Sequence, residues 1–440
     1  MQTSMHYHAI FCLSRAAGLN VETAKRIAFG SEFVDHLEHP NKVSITFKDG
    51  DKLSYFPTLL PSIEDPFCYT QSRCWNSWVP FHFLPACDIG SKTPLVSDKT
   101  QQRRASICQQ DSPISVAMIS AAIARSAAYF NHSNASLADI GLGVALHVFA
   151  DTYSHHGFSG LQSHFNDCKV VTKDPLLVKL LIIEHISSKS KSSFSHMLDD
   201  IETDISEEVK KLCLDEGLSE DALSDTLTRM SCGHAQALTL PDIPYLNFDV
   251  FWTHFINRGT KAKTQRDNQQ AFITACMDIY DYLRLYNGKT QKTEANVTED
   301  ELRKIVTHII ETEVNATKRE ELWVTAYEAG HFSKNTEPDI LQQEFPDFEQ
   351  DMKQFTQELG DAGSMTKTQF EQTRSGMFIQ ATEEHREYVL EKLIPEEFRF
   401  YDYWTNEKSL TDEIVLTPKN KKEFAKELEN IESKTHVPHY

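Results

Sequence analysis

Apolar positions recur at three- and four-residue spacing through residues 5–38, first at Ile10, Leu13 and Ala17, then at Val21, Ala24, Ile27 and Ala28. The run breaks at Gly18, Leu19 and Asn20, so the pattern predicts two short helices. Residues 43–56 (VSITFKDGDKLSYF) instead alternate apolar and polar about Asp49-Gly50, the signature of a β-hairpin. Periodicity fades over residues 57–111, which are rich in Pro, Trp and Cys and are expected to form a long ordered loop packed over a site. A helix resumes at 112–129, with Ser112 as N-cap and Pro113 in the first turn. Residues 131–134 break it. The next helix, 135–155, is apolar nearly all round and is expected to be a central, buried element.

Two or three amphipathic helices are expected within 176–229, divided by a Ser/Lys-rich linker at 187–193, and further helices within 265–287, 298–327 and 376–393. There is no internal repeat. Hydrophobic density falls after about Gly288, and the Lys/Glu-rich stretch 411–440 reads as a solvated helix. The expected fold is mainly α: a multi-helix bundle with a small β-hairpin insertion. A helical core would span 1–290, including the hairpin and aromatic loop of 43–111, with a charged helical region, 291–440, packed on it or extending it.

The chain has 440 residues, enough for one large domain with additions or for two domains. Apolar residues make up 40% and charged residues 25%, as in ordinary globular proteins. A formal net charge of -20 disfavours duplex nucleic acid as a partner. Cations held in a carboxylate-rich cleft would reverse that field locally, which keeps an anionic phosphoester open as a substrate. The nine cysteines form an odd set without a CxxC pair, arguing against a thiolate zinc knuckle and a disulfide framework. They read as small buried hydrophobes, although Cys68, Cys74 and Cys87 fall close together. The amino-terminal MQTSMHYHAIFCLSRAAGL lacks the charge pattern of a Sec signal, and no stretch approaches the roughly 20 apolar residues of a spanning helix. The default expectation is a cytoplasmic protein, with export by another route left open.

The chemistry concentrates in GLGVALHVFADTYSHHGFSG, residues 141–160. His147 and Asp151 are four apart on the predicted helix and share a face, and His155 continues the row by another turn. Two imidazoles and a carboxylate are costly to bury unpaired, and one way to satisfy all three is to coordinate metal. The competing reading is a satisfied polar network; the third residue on the row brings the two readings level. His156 points about 100° away and is expected to be an outer residue. One helix cannot complete a polynuclear site. Further ligands are available as His6 or His8 in MHYH, Asp35 in SEFVDH, His82 in VPFHFLP, and His234 with Asp242 in GHAQALTLPDIPYL. His82, set among aromatics and prolines, suits a ligand or a packing role equally. Phe67, Tyr69, Trp75, Trp78, Phe81 and Phe83 could wall a lipid or base, or build core. No GxSxG or Cys-His arrangement points to a side-chain nucleophile.

These segments, with the RDNQQAF of 266–272 and the EEHREYVLEKL of 383–393, resemble an uncharacterised bacterial family distantly similar to the zinc-dependent phospholipase C and single-strand nuclease superfamily. The resemblance implies an all-helical fold holding a zinc cluster, with His147 and Asp151 as the HxxxD pair and Asp151 bridging two ions. Asp35 and His82 would share the first ion with them, and His6 would join Asp151 on the second. His155 and His234 would hold a third, with Asp242. The sequence departs from that pattern in several places. The enzymes use the amino group and carbonyl of a processed terminal residue, for which no cleavage signal is evident here. Asp242 follows His234 by eight residues where they have four. Ser4 and His36 stand where acidic residues are usual.

The resulting expectation is a metal-dependent phosphoesterase with two or three zinc ions, in which Asp35 and Asp151 serve the hydrolysis of a phosphodiester or phospholipid by activated water. The rival expectation is a non-catalytic, zinc-stabilised helical protein that binds a protein partner through its C-terminal helices.

Overall fold

The computed structural model describes residues 1–60, 71–87, 105–132, 134–161, 163, 166, 168–171, 232–234, 237, 239–252, 263–335 and 337–395. The helices expected within 176–229 with their linker, the 411–440 stretch, and Phe67, Cys68 and Tyr69 lie outside the described residues.

The chain opens with a π-helical turn (Ser4–Ala9) that runs directly into α1 (Ile10–Ala16). After the expected break, α2 (Val21–Glu32) starts with the Asn20 side chain accepting from the Thr23 N–H. A 3-10 turn, Phe33–Asp35, ends it. The hairpin is β1 (Val43–Thr46) and β2 (Lys52–Tyr55), antiparallel with Ile45 opposite Leu53. Where a loop was expected, two short helices appear, α3 (Gln71–Asn76) and α4 (Trp78–Phe81). Elements of four to six residues are too short to display a helical period. Ser112 caps α5 (Pro113–Asn131), as expected, and Asn134 caps α6 (Ala135–Ser154).

A three-stranded antiparallel sheet follows: β3 (Cys168–Val171), β4 (Asn247–Trp252) and β5 (Lys263–Asp267), in that order. Asp267 then caps α7 (Asn268–Lys289). The 298–327 stretch is divided into α8 (Glu299–Glu311), opened by a Thr298/Glu301 capping box, and α9 (Ala316–Glu328), capped by Asn315. At the divide the Arg319 guanidinium donates to the carbonyls of Ile309, Ile310, Thr312 and Val314. Then come α10 (Pro338–Glu344), α11 (Phe348–Asp361), α12 (Lys367–Glu371) and α13 (Arg374–Glu387), which ends in a π-helical turn, Tyr388–Leu393. The protein is thus mainly α with a small hairpin, as expected.

The α6 helix is the axis of the fold, with α2, α5, α7 and α13 packed around it. Nearly every residue from Leu137 to Ser154 is buried. Two glycines set its crossing with α2. A Cβ on Gly30 would lie 2.3 Å from the Ile140 carbonyl oxygen, and one on Gly143 would lie 2.2 Å from that of Ile27. Backbones this close bring the end of α2, with Asp35, up to His147.

One continuous apolar cluster reaches from Met5 to Ile394 and takes in Leu302, Val306, Trp323 and Tyr327 of the late helices. A second gathers Phe29, Phe33, Phe47, Tyr55, Ile140, Phe355, Phe370 and Phe378 under the hairpin. Of the seven described cysteines all but Cys87 are buried, in keeping with a packing role. Contrary to the reading of the sequence, α5 and α6 both reach the length and hydropathy of a spanning helix. In α6, 83% of that window is buried inside the protein; in α5, 39%.

Candidate metal centre

The row His147, Asp151, His155 sits at the end of α6, with His155 as the C-cap residue. Arg266, at the end of β5, fixes that end of the helix. Its buried guanidinium donates to the carbonyls of Ser154 and His156 at 2.5 Å and of Tyr153 at 3.4 Å. Burial lowers its pKa to about 10, so it stays cationic against the negative end of the helix dipole. His156, off the row, is half-buried and lines a separate polar cavity beside Arg266.

Asp151 is fully buried and its two oxygens face different neighbours. Oδ1 lies 3.2 Å from His6 Nε2 and 2.7 Å from the Met1 α-amino nitrogen. Oδ2 lies 3.1 Å from His82 Nδ1, 3.3 Å from His147 Nε2 and 3.5 Å from His155 Nδ1. Asp35 Oδ1 is 3.7 Å from both His82 Nδ1 and His147 Nε2. On the far side, Asp242 takes His155 Nε2 at 3.3 Å on one oxygen and His234 Nε2 at 3.3 Å on the other. The structure therefore brings together all eight residues singled out in the sequence. They form three groups whose donor atoms lie within 4.8 Å of one another: His6, His147 and Asp151; Asp35, His82 and His147; His155, His234 and Asp242. Asp242, eight residues after His234, ends the 3-10 turn Leu240–Asp242.

Of the two early histidines it is His6 that faces the cluster. The His8 ring stacks on Phe345, with Nδ1 3.3 Å from the Thr3 carbonyl. His36, just after the 3-10 turn, pairs with Glu32 at the end of α2 at 2.9 Å and stays outside the three groups.

Backbone carbonyls decide which imidazole nitrogens can act as donors to a metal. The Thr58 carbonyl can only accept, so His82 Nε2, 3.1 Å away, carries the proton and Nδ1 presents a lone pair. The His82 carbonyl likewise takes the proton of His155 Nδ1 at 2.6 Å, turning the Nε2 lone pair toward Asp242. A lone pair 3.1 Å from a carboxylate oxygen is repulsive unless a cation stands between them. Burial, the largest influence on His82, pushes its pKa below the ordinary value and disfavours a proton there. Tetrahedral zinc with bonds near 2.05 Å spaces its ligands about 3.3 Å apart, close to the observed contacts. The imidazole and carboxylate donor set suits a divalent metal ion.

His147 differs: burial opposes a charge on it, but Asp151 and Asp35 outweigh that and raise its pKa. Burial, then His147 and the Met1 ammonium, push His6 down to about 3, leaving it neutral. Asp151 is held well below the carboxylate range, because His155, the Met1 ammonium, His147 and His6 outweigh its burial. Asp35 is lowered against its burial by His147, His6 and His82, and Asp242 by the ammonium, His234 and His155. Burial opposes a charge on the Met1 amine, but Asp151, Asp242 and Asp35 overcome it and raise its pKa to about 11. The amine lies within 3.5 Å of Asp242 as well, so it links the groups and was not foreseen as a member.

Phe83 stacks on His155 at 4.4 Å and approaches His234 at 6.0 Å, and Trp78 lies 5.2 Å from His82. Trp75 and Phe81 are core. Among the described site residues the Asp35, His234 and Asp242 side chains are 28%, 18% and 14% exposed, while those of His6, His147 and Asp151 are sealed.

Fold and site together define a mainly α protein in which one buried helix and four chain segments assemble a candidate polynuclear metal centre. The chain belongs to a family of unknown function, DUF6765, whose model matches residues 1–393. It matches no curated protein and no solved structure.

Proposed function

We propose that the protein is a zinc-dependent phosphoester hydrolase, holding two or three ions and acting on a phosphodiester or phospholipid. The observation that carries this reading is the division of Asp151. One carboxylate oxygen serves the His6 group and the other the His82 and His147 group, the geometry of a bridge between two adjacent ions. His6, Asp35, His82, His147 and Asp151 would hold this pair, and His155, His234 and Asp242 a further ion. Bound zinc supplies Lewis-acid polarisation of the phosphoryl group and a water acidified toward neutrality.

The chain's own residues do the rest. Asp35, ionised and partly exposed, would accept a hydrogen bond from water and so orient it. His82 and His155 are held in ligand-competent tautomers by the carbonyls of Thr58 and His82. Phe83 and Trp78 keep the imidazole side of the site dry, which strengthens each charge interaction within it.

The test is hydrolysis of phosphodiester, phosphomonoester and phospholipid substrates by the zinc-loaded chain and by Asp151→Ala. Turnover of one class, falling by about 100-fold or more in the variant, supports the reading. A folded, zinc-loaded chain that hydrolyses none of them leaves the non-catalytic alternative and overturns this one.

A further inference from the structure

The segments that carry His82 and His234 to α6 meet at a second point. Cys74 lies in α3, which leads through α4 to His82, and Cys232 precedes His234 by two residues. Their Sγ atoms are 3.8 Å apart, and both side chains are buried. Cys232 Sγ also lies 3.1 Å from the Gly160 carbonyl, and the Gly233 N–H donates to the Ser159 carbonyl at 2.9 Å. This seats the loop against the turn that follows α6. Gly233 has φ +59°, and a Cβ there would fall 2.3 Å from the Phe83 ring, so the backbone packs directly against that ring.

We infer that Cys74 and Cys232 form a disulfide that fastens the His82 segment to the His234 loop. Bond formation closes the gap from 3.8 Å to about 2.05 Å. The odd cysteine count and missing CxxC pair could not show such a bond, since its partners are 158 residues apart. Its formation consumes a disulfide donor, small-molecule or protein, of an oxidising compartment. The thiolate of one cysteine attacks the donor and expels one thiol. The second thiolate then attacks the mixed disulfide and expels the other, so two cysteine thiols are oxidised and one donor disulfide is reduced to two thiols. Both sulfurs are inaccessible in the folded protein, so exchange precedes closure of the loop, and the bond is a permanent staple and not a reversible switch.

The full chain, produced in an oxidising compartment and equilibrated with oxidised glutathione, is denatured without reductant, alkylated and peptide-mapped. The expected result is a Cys74 peptide joined to a Cys232 peptide, lost on reduction. The intact folded chain should also melt about 5 °C higher than the reduced one, a difference that disappears in Cys232→Ala. Alkylation of both cysteines in the oxidised protein, or either one joined to a different cysteine, overturns the inference. So does a melting difference that persists in Cys232→Ala. None of these readouts depends on metal or turnover.

Discussion

Asp151 has no solvent to share its charge with, and its five close neighbours are four imidazoles and an amine. Asp151→Asn preserves the shape and removes the charge, so the chain is expected to fold with unchanged helix content by circular dichroism while losing bound metal. Loss of the fold would instead assign Asp151 a structural role. His385 offers a test of burial without ligation. It packs against Phe81 with Nε2 donating to the Pro80 carbonyl, and burial, reinforced by Arg125, pushes its pKa down to about 3. An unfolded histidine titrates near 6.5, so below that pH the unfolded chain takes up a proton that the folded site refuses. The stability it contributes is complete above about pH 6.5 and is lost as pH falls toward 3. His385→Gln should flatten the melting-temperature profile of the metal-free chain between pH 6.5 and 4, by the equivalent of about 3 kcal/mol. Parallel profiles would contradict the shift. At this scale the His147, Asp151, His155 row was legible because helical spacing places its members on one face. The Met1 amine and the carbonyls of Thr58 and His82 were not, because backbone groups carry no residue identity that a pattern could single out.

The α2–α6 crossing is the element on which the site depends, since it carries Asp35 to His147. Gly143→Ala must push a methyl into the Ile27 carbonyl and spread the pair. A cost of about 1–3 kcal/mol is expected in denaturant unfolding, with weaker metal retention because Asp35 moves out of reach. An unchanged midpoint would show that the crossing can relax. At the other end of α6, Arg266→Met leaves three carbonyls without their donor beside His155. About 2–3 kcal/mol should be lost, and Arg266→Lys, without the planar fork, should recover only part of it. The hairpin was plain in the sequence because alternation and turn lie within 14 contiguous residues, 43–56. The β3–β4–β5 sheet was missed although Phe248, Val250 and Trp252 alternate, because β3 and β4 lie far apart in sequence and only the fold pairs them. The opening π-helical turn was also hidden, since its wider repeat mimics a short run of α-periodicity.

At the level of the whole molecule, late helices share an apolar cluster with the first ones, and α9 packs on the opening π-helical turn that carries His6. In a chain of net charge -20, the site gathers three carboxylates around five imidazoles, an arrangement that gains most from bound cations. Sequence alone reached the ligand types and their convergence, because imidazoles and carboxylates are rare in apolar surroundings. It left the third group open because loop closure between His234 and Asp242 has no periodic signature. Ligand-free chain should accordingly melt well below the zinc-loaded chain, with the gap growing with free zinc concentration. The central claim meets its most direct test in elemental analysis of the folded, zinc-equilibrated and desalted chain. Two to three equivalents of zinc per chain are expected, roughly the number of donor groups, falling to one or fewer in Asp151→Asn. A folded wild-type chain that retains no zinc, or an Asp151→Asn chain that retains as much as wild type, would contradict it.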